Sequence, residues 1–108
     1  MTTTVEKAHI AADLRFHLAI LEATGNELLF GLRHGIEGAL GFAIRLTAQT
    51  KEDADNSMAL HKAVYDAIAA RKPAVARAAM NRLVDRWADK SQRIIAATRE
   101  RSRRKSKT

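Results

Sequence analysis

The sequence predicts an all-α fold, an antiparallel helical bundle. Apolar residues recur at intervals of three and four through most of the chain, only one proline and five glycines interrupt them, and no alternating run or Asn-Gly turn marks a strand. With 108 residues and 46% apolar content, the chain fits one domain with a modest core.

The first helix is expected from about Glu6 to Ala23, with Ile10, Leu14, His17, Leu18 and Leu21 along or beside one face. Thr24 and Gly25 close it, because glycine takes the left-handed conformation without a side-chain clash, and Asn26 can cap the next helix. That second helix, Glu27 to about Ala48, carries Leu28, Leu29, Leu32, Ile36, Leu40, Ala43 and Ile44 as an apolar band. Gly31, Gly35, Gly38 and Gly41 each weaken it by up to about 1 kcal/mol. They imply either close approach by a neighbouring helix or subunit, or a bend or break, and propensity alone does not choose.

Thr50 to Asn56 is polar and acidic and reads as a connection. A third helix follows from about Ser57, which suits its cap, to Ala70, with Leu60, His61, Val64, Tyr65 and Ile68. Pro73, after Lys72, suits the first turn of a fourth helix bearing Val75, Ala76, Ala79, Met80, Leu83, Val84 and Trp87 and continuing through Ile94 and Ile95. Tyr65, Met80 and Trp87 are expected to pack between helices rather than stack on bases.

The net charge of +7 is unevenly placed, with six basic residues against Glu100 from Arg99 to the end. Residues 99–108 are therefore expected to be a disordered basic tail, with nonspecific phosphate contact as the alternative. Cysteine is absent, which excludes disulfides and thiolate zinc sites, and no apolar stretch reaches the roughly 20 residues that span a bilayer. A cytoplasmic location without membrane contact is expected.

Asp13 and His17, four residues apart, leave the same helix face, and His61 adds a second imidazole from the third helix. A carboxylate and two histidines suffice for a divalent cation with open positions, whereas the same spacing also serves a plain ion pair. His61 equally suits a surface or a core position bonded to a carbonyl. Arg15, Arg33 and Arg45 are candidate anion contacts because guanidinium grips carboxylate with two donors, and His34 is a candidate pocket donor. His9, four residues before Asp13, is a marginal ligand. No nucleophile, base and orienting residue form a catalytic set, so no enzyme is expected.

The segments Asp13 to His17 (DLRFH), Ala23 to Asn26 (ATGN) and His61 to Ile68 (HKAVYDAI), with Ala74 to Met80 (AVARAAM) after Pro73, resemble the C-terminal effector-binding FCD domain of GntR-family bacterial transcription regulators, in the fatty-acid-responsive branch. The likeness covers roughly residues 8–88. It implies a helical effector-binding and dimerisation domain over residues 1–98, ahead of the tail. It also implies a separate N-terminal winged helix-turn-helix, missing here as in a truncated regulator, through which ligand state reaches DNA.

In metal-containing relatives an aspartate and three histidines surround a divalent ion such as zinc or nickel, and a small organic acid binds beside it. Asp13, His17 and His61 match the first three positions, while Leu83 stands at the last histidine. Asn81, His34, water or the acid would have to complete the shell, and a metal-free pocket remains an alternative. The expected function is therefore sensing of a small carboxylate or sugar acid by a homodimer. Structural homo-oligomerisation without an effector is the alternative.

Overall fold

The computed structural model describes residues 4–47 and 50–107, and all secondary structure among them is helical. The helices are α1 Thr4–Ala23, α2 Glu27–Gly31, α3 Arg33–Thr47, α4 Lys51–Ala69 and α5 Pro73–Ser106. The chain is an all-α bundle that divides into two compact units, Met1–Arg45 and Leu46–Thr108.

In the first unit α1 ends as its composition dictates. Thr24 Oγ1 donates to the Leu21 carbonyl at 2.7 Å, and Gly25 takes φ +68°. Asn26 then caps α2, its Oδ1 accepting from the Leu29 amide at 3.1 Å. The single helix expected from Glu27 is broken instead. Leu32, at φ −87° and ψ 3°, interrupts it directly after Gly31, the weakest helix former in that stretch. Arg33 braces the break, its Nη1 donating to the Phe30 carbonyl at 3.0 Å while the guanidinium lies 4.4 Å over the Phe30 ring. The expected end of that helix, Ala48, lies outside the described residues.

Close approach along the glycines is limited to one position in this unit. A Cβ on Gly41 would lie 3.9 Å from Leu14 Cδ1, so α3 meets α1 there, whereas Gly31, Gly35 and Gly38 face open space. The expected apolar band is only partly covered: Ile44 is buried, but Leu28 is 74% and Leu32 54% exposed.

The second unit is a hairpin of α4 and α5. Helix α4 starts well before Ser57, within the acidic run expected as a connection, and Ser57 lies inside it rather than at its cap. Thr50 is the cap, its hydroxyl accepting from the Asp53 amide at 3.0 Å while the Asp53 carboxylate accepts from the Thr50 amide at 3.1 Å. Glu52 and Asp53 in the first turn oppose the positive end of the helix dipole, which is why an acidic stretch is helical here. On the outer surface Lys62 donates to Asp66 at 2.7 Å, a bond that raises its ammonium above the ordinary lysine value.

Helix α4 ends in two crossed bonds, Lys72 amide to Ala67 carbonyl at 2.9 Å and Arg71 amide to Ile68 carbonyl at 3.0 Å, with Arg71 at φ 57°. Pro73 then opens α5. Val64, Ala67, Ala79 and Leu83 form the buried seam of the hairpin. Tyr65, expected in it, is exposed because it follows Val64 and so leaves the helix on another side. Trp87 and Met80 are half-buried. The residues from Arg99, expected as a disordered tail, continue α5 to Ser106, with Arg103, Arg104 and Lys105 favourably placed at the negative end of the dipole. No helix among the described residues is long and apolar enough to cross a membrane.

Candidate metal centre

Asp13 and His17 form a pair on α1, the aspartate buried and the histidine half-buried. Their i, i+4 spacing places His17 Nε2 3.1 Å from Asp13 Oδ1, with side-chain exposures of 9% for His17 and 3% for Asp13. Phe16 meets the His17 imidazole edge-on, with ring centroids 5.4 Å apart and planes at 85°. Two donors bound to one cation at roughly 2.0–2.1 Å stand about 2.9–3.4 Å apart, so this separation suits a shared ion as well as it suits a hydrogen bond.

One turn before Asp13, His9 lies on the same helix face. Its Nε2 is buried and finds no hydrogen-bond partner among the described residues. Such a desolvated nitrogen costs about 1–3 kcal/mol until a ligand or water meets it. The four-residue spacing to Asp13 was the only sequence signal for this position.

His61 sits in the middle of α4, not at its start, and is buried. Its Nδ1 lies 2.6 Å from the Ser57 carbonyl and 3.3 Å from the Ser57 hydroxyl. A carbonyl only accepts, so Nδ1 carries the proton and Nε2 the lone pair, the tautomer in which a histidine ligates through Nε2. Ser57, which had suggested a cap, instead orients this ring.

Leu83, at the position where relatives were expected to carry the last histidine, is 1% exposed within the hairpin seam. The ion pair of Lys90 with Asp53 fixes the register of α4 against α5. His61, about two turns on from Asp53, and Leu83, about two turns back from Lys90, stand at the same level of the hairpin.

The other expected contacts are dispersed. Arg15 is exposed on α1, two residues from Asp13 and so on another side of the helix. Arg33 is engaged by Phe30, and His34 and Asn81 are exposed on α3 and α5.

A carboxylate with two imidazoles, Asp13, His17 and His61, is a donor set that could coordinate a divalent metal. Residues 2–86 match the FCD domain. No curated protein and no solved structure matches the chain. By the extent of its match the chain belongs to the FCD domain family, whose members are regulatory and non-catalytic, and it is accordingly no enzyme.

Proposed function

We propose that this chain is the effector-sensing and dimerisation domain of a GntR-family transcription regulator of the fatty-acid-responsive branch. In this reading Asp13, His17 and His61 hold one divalent cation, such as zinc or nickel, and a small carboxylate or sugar acid binds beside it. Family membership supports the sensing role. The observation that carries the site is the pairing of a buried carboxylate with an imidazole at 3.1 Å, together with a buried His61 whose tautomer the Ser57 carbonyl fixes.

Bound there, a divalent cation supplies an open Lewis-acidic position for one carboxylate of the acid. Leu83 in place of a further imidazole keeps the protein's share of the shell at three donors, which suits an acid that provides the next. Arg15, Arg33, His34 and Asn81, expected as contacts to the remainder of the acid, are dispersed, so the reading gives the acid its anchor at the cation alone. A change in helix packing on binding would reach DNA through a separate winged helix-turn-helix, a coupling between two sites. The protein works in the cytoplasm, and residues 1–98 form the sensing domain.

A second reading, a homo-oligomerisation module without an effector, draws on the exposed Leu28, Leu32 and Phe42, the last 66% exposed. Apolar surface of this kind is ordinarily covered by another chain. Thermal unfolding of metal-free and zinc- or nickel-loaded protein against dicarboxylates and sugar acids separates the two. An acid at about one hundred times its Kd should raise Tm by about 10 °C or more, and His61→Gln should abolish the rise. A dimer indifferent to every metal and acid would favour the second reading.

A further inference from the structure

The far end of α5 lies outside the family match and carries most of the protein's net charge. The match stops at residue 86, whereas α5 runs to Ser106. Every residue from Ile95 to Lys107 is exposed. The last aromatic residue is Trp87 and the last apolar one Ala97, so from Thr98 onward the helix has only charged and hydroxyl side chains.

Helical geometry sorts these side chains. Arg99, Ser102, Arg103 and Ser106 follow i, i+3, i+4 and i+7 spacing and, with Thr98, line one shallow groove. Glu100 and Arg104 pair at 3.6 Å on another side. Arg101, which reaches Thr98 Oγ1 at 3.4 Å, and Lys105 occupy the side opposite Arg99 and Arg103. Arg99 and Arg103 thus leave one face of the helix one turn apart, about 6 Å along its axis, with Ser102 beside them.

We infer that this face binds the phosphate backbone of duplex nucleic acid without reading its sequence. Arginine matches phosphate with two parallel donors, and each neutralised phosphate releases counterions whatever the bases. Single-strand binding ordinarily adds aromatic platforms, and this segment has none. An interfacial membrane helix needs an apolar face, and a protein interface an apolar centre; this segment has neither. A bare helix about 10–12 Å across also fits a major groove about 12 Å wide. The site shares no residue with the proposed effector pocket, so the two stand or fall separately.

The test is fluorescence anisotropy of the full chain with a labelled duplex of arbitrary sequence at about 50 and 150 mM salt. Binding should weaken steeply with salt, and a second, unrelated duplex should bind within about twofold. Arg99→Gln/Arg103→Gln should lower affinity at least about fivefold and reduce the log–log salt slope by about 2, whereas Arg101→Gln/Lys105→Gln, which removes the same charge from the opposite side, should do less. Circular dichroism shows whether both variants keep their helix. Equal losses in the two variants, no duplex binding at low salt, or equally tight binding to a single strand or to phosphatidylserine vesicles would overturn the inference.

Discussion

His17 Nε2 lies 3.1 Å from Asp13 Oδ1 on the buried side of α1. An ionised carboxylate only accepts, so in the metal-free protein the proton between these atoms sits on the imidazole nitrogen. A cation taking that position displaces it. A metal binds only a deprotonated imidazole, so zinc affinity should rise with pH in acid solution. Calorimetry in two buffers of different ionisation enthalpy measures the proton count, and affinity that does not change with pH would contradict this use of the pair.

Leu83→His restores the imidazole that the metal-containing relatives were expected to carry, at the level of His61 across the hairpin. Leu83 is fully buried, so the substitution should cost about 2–3 kcal/mol of metal-free stability. Zinc affinity should rise at least about tenfold if the new nitrogen joins the shell. Denaturant titrations with and without zinc separate the two effects.

His9→Leu removes a buried nitrogen that has no hydrogen-bond partner among the described residues. Metal-free stability should increase by about 1 kcal/mol, read as a higher urea midpoint at unchanged m-value. If His9 meets the bound acid, the same variant should lose part of the acid-dependent rise in Tm.

Arg71→Gly relieves a non-glycine residue at φ 57° while keeping both backbone bonds that close α4. The folded state should gain about 0.5–1 kcal/mol, less the entropy that glycine adds to the unfolded chain. A fall in Tm would mean that the Arg71 side chain has a stabilising role of its own.

Residues with short-range signatures were legible in the sequence. Gly25, Asn26 and Pro73 each act as their local chemistry requires, and the apolar spacing of Val64, Ala79 and Leu83 marks the hairpin seam. Thr50 was missed because Thr50 and Asp53 form a capping box inside a run whose polarity reads as loop. The break at Leu32 was open because four glycines carry the same intrinsic penalty, and only the folded chain shows which one yields. Arg71 was invisible since arginine gives no left-handed signal. Asp13 and His17 were legible because four-residue spacing is enough to pair them, whereas the role of Ser57 in orienting His61 required knowing that α4 already spans both.

The most direct measurement of the central claim is native mass spectrometry of metal-free protein titrated with zinc and with nickel, for the wild type beside Asp13→Asn and His61→Gln, with helical content followed by circular dichroism. One stoichiometric cation per chain in the wild type, lost in both variants at unchanged helicity, is the predicted result. No adduct in the wild type, or an undiminished adduct in both variants, would contradict it.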